Sequence, residues 1–199
     1  PNLSDVNLSG CELNDSDYDA IGSVSCSLLE NFDISNNFLT SHGMKSVAAM
    51  LKGCHQIRQV YLGGIKAGDE FSGMYEALAS LADKPRLELL HCGISVLHED
   101  ELRCLQKMEH LKDLYICIAG ADLDGECLCD SMRGMRSLSK LDLNCKNGFS
   151  LECDRVFLDV LRSLDQLVQL HFTFADSETS LKHLGEYIAS ADCRLRQLD

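Results

Sequence analysis

A Leu-x-x-Leu-x-Leu motif returns along the whole chain, and no other feature restricts the possible folds so tightly. Its copies begin at Leu3 (LSDVNL), Leu29 (LENFDI), Ile57 (IRQVYL), Leu87 (LELLHC), Leu111 (LKDLYI), Leu138 (LSKLDL), Leu167 (LVQLHF) and Leu195 (LRQLD), at intervals of 24 to 30 residues. The fourth position is apolar in every copy: Val6, Phe32, Val60, Leu90, Leu114, Leu141, Leu170 and Leu198. So is the sixth in every complete one: Leu8, Ile34, Leu62, Cys92, Ile116, Leu143 and Phe172. In a chain that is 45% apolar, chance would produce that agreement once in ~10⁵ trials.

Successive residues of a strand face opposite ways, so each motif reads as a short strand with alternate side chains directed into a core. Between motifs the apolar spacing turns helical. Met44, Val47, Ala48 and Leu51 fall at i, i+3, i+4 and i+7, as do Phe71, Met74, Tyr75 and Leu78, and again Phe157, Val160, Leu161 and Leu164. One strand-helix unit cannot bury its apolar face alone, so the units must stack. A helix is wider than the ~4.8 Å spacing of strands, which bends the stack with strands inside. The expected fold is therefore an α/β solenoid of about seven to eight repeats: a horseshoe arc with a parallel β-sheet on the concave face and helices on the convex face. With two prolines and no linker-like run, residues 1–199 read as a single domain. The chain starts at Pro1 without a methionine and stops inside a motif at Asp199, as expected of a piece of a longer protein.

Charge and hydropathy narrow the partners. The 31 acidic and 18 basic residues leave a formal charge of −13, with no basic cluster in the sequence. That balance disfavours nucleic acid and anionic membrane surfaces and favours protein partners of basic character. No apolar run approaches the roughly 18 residues of a membrane span, and no basic-then-apolar leader opens the chain.

The segment LENFDISNNFLTSHGMKSVAAMLKGCHQIRQVYL, residues 29–62, resembles one unit of the ribonuclease-inhibitor-like class of leucine-rich repeats. In that class a strand, an asparagine or cysteine turn, a Leu-Thr step and a helix recur at a comparable period; Asn37, Leu39, Thr40 and Gly43 fill those roles here. The first copy fits as well, with Cys11 at the turn and Leu13 after it. From the third copy on, the turn position holds Ile65, Ser95, Ala119, Lys146 and Ala175. The asparagine ladder is thus incomplete, and local distortion of the arc is expected there and at the 24-residue step after Leu87. Such divergent, uneven repeats look most like the C-terminal repeat regions of NOD-like innate immune receptors.

The eleven cysteines are spread through the repeat. Cys92 occupies a core strand position, Cys11 a turn, and Cys26, Cys54 and Cys193 the approach to a strand. Small buried thiols suit tight packing between repeats, and the spread favours a reducing cytosol over a disulfide framework. Cys127 and Cys129, with Asp122, Asp124 and Asp130 nearby, could share a site, but no second Cys/His pair completes a zinc set. Neither metal nor cofactor is expected. Sequons at Asn2, Asn7 and Asn14 would suit a secreted chain, yet Asn7 falls within a strand. No nucleophile elbow, metal-binding helix or phosphate loop occurs, so the chain is not expected to be an enzyme.

The fifth position of each copy points out of the concave sheet. Asn7, Asp33, Tyr61, His91, Tyr115, Asp142, His171 and Asp199 form that column. Aromatics bordered by charge are what an interface hot spot contains. Asp33, Tyr61, His91, Tyr115, Asp142 and His171, with Leu89 beside them from the third position, are the expected partner-binding residues. The resemblance implies the ligand-sensing or autoinhibitory repeat region of a cytoplasmic innate immune receptor. A stoichiometric inhibitor or regulator of an enzyme or small GTPase, and a secreted pattern-recognition protein, are the alternatives.

Overall fold

The computed structural model describes residues 3–24, 26–65, 74–93, 99–118, 125–145, 151–173, 178–190 and 193–198. Strand and helix alternate throughout them. The order is β1 (Asp5–Asn7), α1 (Asp15–Gly22), β2 (Asn31–Asp33), α2 (Ser41–Gly53), β3 (Gln59–Tyr61), α3 (Met74–Leu81), β4 (Leu89–Gly93), α4 (Glu99–Leu105), β5 (Asp113–Ile118), α5 (Gly125–Met132), β6 (Lys140–Cys145), α6 (Leu151–Ser163), β7 (Gln169–Thr173), α7 (Glu178–Ile188) and β8 (Gln197–Leu198). Among the described residues, eight strands form one parallel sheet in sequence order.

The repeat sets the register. Asp5 pairs with Asn31, Asn31 with Gln59, Gln59 with Leu89, Leu89 with Asp113, Asp113 with Lys140, Lys140 with Gln169, and Gln169 with Gln197. Equivalent motif positions therefore lie side by side. No distortion of the sheet appears at the 24-residue step: β4 and β5 pair over five residues without a slip. The shortening falls on the helical side, where α4 has seven residues against thirteen in α2 and α6. The turn residues Ser95, Ala119, Lys146 and Ala175 lie outside the described residues, while Ile65 is buried.

One core runs the length of the stack. Leu29, Ile57, Leu87, Leu111, Leu138 and Leu167 at the first motif position are buried, as are Phe32, Val60, Leu90, Leu114, Leu141 and Leu170 at the fourth. Ile34, Leu62, Cys92, Ile116 and Leu143 continue the layer, with Leu8 and Phe172 half-buried. At the edge strands, which have a neighbour on one side only, Leu3 and Leu198 are exposed. The helices close the other side through Met44, Val47, Ala48 and Leu51 of α2 and Phe157, Val160, Leu161 and Leu164 in and after α6. In α3 the expected stripe is displaced. Tyr75 is 45% exposed, and the buried apolar face is Met74, Ala77, Leu78 and Leu81, an i, i+3, i+4, i+7 set displaced by three residues from the expected one. Phe71 lies outside the described residues.

Local chemistry fixes where helices begin. Asn14 caps α1, its side chain accepting from the Ser16 N–H while the Asp17 carboxylate accepts from the Asn14 N–H at 2.9 Å, a reciprocal capping box. Thr40 caps α2, and its own N–H donates to Asp15 Oδ1 at 2.9 Å, tying the second helix to the first. Gly43 admits that approach, since a Cβ there would collide with the Asp15 carboxylate and Leu39. Asn37, fully buried, donates to the Leu8 and Ile34 carbonyls at 2.8 and 2.9 Å and accepts from the Leu13 N–H at 3.0 Å, so one amide joins two repeats.

Cys26, Cys54 and Cys92 are buried as expected, whereas Cys193 is half-buried and Cys11 is exposed. Cys11 is not packed because Asn37 of the next repeat reaches back to serve that turn and leaves the thiol outside.

Candidate recognition surface

With helices on one side, the sheet's other side presents two parallel columns of side chains. The fifth motif position gives a run in which Asp33 pairs with Tyr61, Tyr61 with His91, His91 with Tyr115, Tyr115 with Asp142, and Asp142 with His171. Parallel strands in register put each residue one strand spacing, ~4.8 Å, from the next. The rings use that spacing. Tyr61 and His91 meet edge-on at a centroid distance of 5.2 Å, and His91 and Tyr115 lie tilted at 4.8 Å. All three are partly buried by one another yet open to solvent on their outer side.

The third motif position supplies the companion column, Asn31, Gln59, Leu89, Asp113, Lys140 and Gln169. Leu89 is half-buried there, less open than its register position suggested. The Tyr61 hydroxyl donates to Gln59 Oε1 at 3.2 Å, and Lys140 Nζ stands 3.9 Å from Asp113 Oδ2. Beyond the aromatic run, His171 Nδ1 lies 3.8 Å from Asp142 Oδ2. At the other end Asp33 accepts from the Ser35 N–H and hydroxyl at 2.9 and 2.6 Å, which orients its carboxylate.

Electrostatics around the run follow from burial in a field of carboxylates. Burial pushes the His91 imidazole below its ordinary value, against the opposing pull of Asp113, Asp142 and Asp33. Burial pushes the Asp142 carboxyl up, with His171 and His91 opposing. The Tyr61 hydroxyl is raised by burial and then by Asp113 and Asp33. An open depression of ≈140 Å³ lies at this end of the run, lined by His91, Asp113, Lys140, Asp142, Gln169 and Gln197.

Every expected binding residue thus sits on the one face, and Asp33, Tyr61, His91, Tyr115, Asp142 and His171 are consecutive neighbours. Asp113 was missed by sequence reasoning although its field reaches Tyr61, His91 and Asp142. Its signal was available in the third motif position, which pairs it with Leu89 and Lys140.

Elsewhere, Cys127 and Cys129 face different ways on α5. Cys129 is fully buried in the core and Cys127 half-buried, as two residues separated by about 200° on a helix must be. Asp130 pairs with Arg133 at 2.6 Å, and Asp122 and Asp124 lie outside the described residues. Among the described residues no group of three or more His, Cys, Asp or Glu is arranged to hold a metal, and no helix is long and apolar enough to cross a membrane.

No family model matches the chain. It is 24% identical to human Protein NLRC5 over 209 residues, a match covering 92% of this chain and 11% of that protein's length. Among solved structures, internalin C2 of Listeria monocytogenes superposes with a TM-score of 0.54 at 14% identity, covering 99% of this chain and 80% of that one. The repeat, the unbroken parallel sheet and these likenesses together show that the chain has the fold of an α/β leucine-rich repeat solenoid.

Proposed function

We propose that this chain is a protein-recognition module that engages its partner through the open face of the sheet, as the ligand-sensing or autoinhibitory repeat region of a cytoplasmic innate immune receptor. The observation that carries the reading is the Tyr61–His91–Tyr115 run bracketed by Asp33, Asp113 and Asp142. Aromatic side chains offer large rigid contact area at small entropic cost, and they concentrate binding energy when a partner excludes water from them. The carboxylates around them select a basic patch and steer its approach. The receptor assignment is supported by the 24% likeness to human NLRC5 and by the uneven texture of the repeats. Catalysis is not part of this reading, since an open face seldom provides the positioned substrate cleft that a general base needs.

A photo-crosslinking amino acid placed at position 61 or 115 in the parent cell, against the same reagent at Lys52 or Arg162 on the helical side, tests this. The reading expects a discrete protein adduct from the sheet positions, and it expects the double substitution Tyr61→Ala, Tyr115→Ala to weaken binding of that purified protein by tenfold or more. Adducts from the helical positions alone, or an unchanged affinity in the double variant, would sink it.

A further inference from the structure

A second surface, of opposite charge, lies along the rim where helices end and strands begin. The second motif position of successive repeats is Glu30, Arg58, Glu88, Lys112 and Ser139, and their backbones form a ladder: Arg58 N–H to Glu30 O at 2.7 Å, Glu88 N–H to Arg58 O at 2.8 Å, Lys112 N–H to Glu88 O at 2.7 Å, Ser139 N–H to Lys112 O at 2.8 Å. The side chains interlock as the backbone does. Glu88 accepts from Arg58 on one oxygen at 3.0 Å and from Lys112 on the other at 2.9 Å, while Glu30 reaches Arg58 at 3.9 Å. Both Glu88 oxygens are thereby engaged.

The residue just before each motif makes a second ridge beside this ladder, where Arg86, His110 and Ser137 stand. Between the ridges runs an open groove of ≈390 Å³. Arg86 and His110 are exposed and make no ion pair with a described residue. Lys112, 57% exposed, and Arg58 keep donors beyond those that Glu88 occupies, for an ammonium has three and a guanidinium five. The groove is thus a cationic strip on a chain whose formal charge is −13.

We propose that this groove receives an extended acidic segment of a partner protein, laid across the third to sixth repeats with its carboxylates on Arg86 and Lys112 and His110 beside them. The length agrees: three strand spacings span about 14 Å, and four residues of extended chain span about 13 Å. The chemistry agrees too, because a planar guanidinium and an ammonium one repeat apart match carboxylates on one face of an extended peptide. This surface is separate from the aromatic face and does not depend on its role.

The test uses a blocked tetraglutamate peptide titrated into the whole chain and followed by backbone amide chemical shifts, with blocked tetralysine and an eight-base oligothymidylate as comparison probes. The expected result is saturable shifts confined to residues 58, 86–88, 110–112 and 137. Arg86→Ala with Lys112→Ala should weaken the peptide at least tenfold at unchanged melting temperature, and Glu88→Gln should tighten it by relieving competition. No saturable shift at millimolar peptide, shifts spread over cations such as Arg162 and Lys182, no loss in the double variant, or an oligothymidylate that binds the same residues as tightly would each overturn the proposal.

Discussion

The ring of Tyr61 meets the imidazole of His91 edge-on, inclined at 75° with centroids 5.2 Å apart. The contact keeps His91 half-buried, and burial outweighs three nearby carboxylates in setting its protonation, so the folded chain holds His91 neutral to lower pH than the unfolded chain does. Below about pH 6.5, the ordinary imidazole value, the unfolded state then binds more protons, and stability falls as pH drops towards the folded value. His91→Phe keeps a ring in the run and removes that proton. Urea unfolding midpoints measured from pH 7.5 downward should fall less for the variant than for the native chain across this window. Asp142, raised by burial, acts with the opposite sign at more acidic pH, where the folded state takes up its proton first. Parallel pH profiles for the two chains would rule out the assignment.

Asn37 is a fully buried amide that spans two repeats, with its Nδ2 directed at the Leu8, Ile34 and Ser35 carbonyls and its Oδ1 taking the Leu13 N–H. Replacing it with alanine takes this partner from the Leu13 N–H and from the Leu8 and Ile34 carbonyls, while the Ser35 carbonyl keeps the Gly10 N–H at 2.9 Å; the aggregate cost is about 2–3 kcal/mol. The loss should be local in a quasi-one-dimensional stack. Hydrogen exchange ought to accelerate at Leu13 and along β1 and β2, with β5 and β6 little changed. Uniform acceleration along the whole sheet would contradict the argument.

Gly10 and Gly64 share a left-handed backbone, with φ of 65° and 64°. They differ in surroundings. A Cβ on Gly10 meets nothing within 4 Å, whereas one on Gly64 would run into the Asn36 amide of the preceding repeat. Gly10→Ala should cost about 1 kcal/mol, the backbone penalty alone. Gly64→Ala should cost about 2–3 kcal/mol, since the turn between β3 and its following segment must also move. Chemical denaturation of both variants separates the two contributions, and equal losses would mean that the Asn36 contact is soft.

What the sequence made legible was whatever recurs. Positions one, four and six of each motif are apolar because they face the core, so Phe32, Leu62 and Leu114 were readable without coordinates, and constant register then carried Asp33 to His171 into one column. Single events were not readable. The turn asparagine was readable at Asn37 from the likeness of its repeat, but which atoms it would serve, the Leu13 N–H and the Leu8 carbonyl of the repeat before, was not. Tyr75 counts as core in the apolar spacing because it follows Phe71 by four residues, yet the buried set runs Met74, Ala77, Leu78 and Leu81, three residues later, which turns the stripe by about 60° and leaves Tyr75 outside. The rim groove was invisible for a related reason: Arg58, Arg86, His110 and Lys112 are scattered in the sequence, and only stacking makes a cluster of them.

Thiol reactivity provides the last check on the layer structure. Cys92 at the sixth motif position is fully buried, and burial alone pushes its thiol up to about 12; Cys54, also fully buried, is pushed up to about 11 chiefly by burial and then by Cys26. Since the thiolate is the nucleophile, a rise from the ordinary 9.0 to about 12 leaves roughly a thousandfold less reactive species, before any steric exclusion. Cys11 is exposed at its turn, its thiol directed at the Ser9 carbonyl at 3.7 Å. Iodoacetamide at pH 7.5, with peptide mass mapping over time, should therefore modify Cys11 within minutes and spare Cys54 and Cys92 until urea unfolds the stack. The repeat-by-repeat core requires the two buried thiols to become reactive together with the loss of the strands that cover them. Modification of Cys92 in the native chain at the rate of Cys11 would mean that the layer between β4 and the helices is not closed.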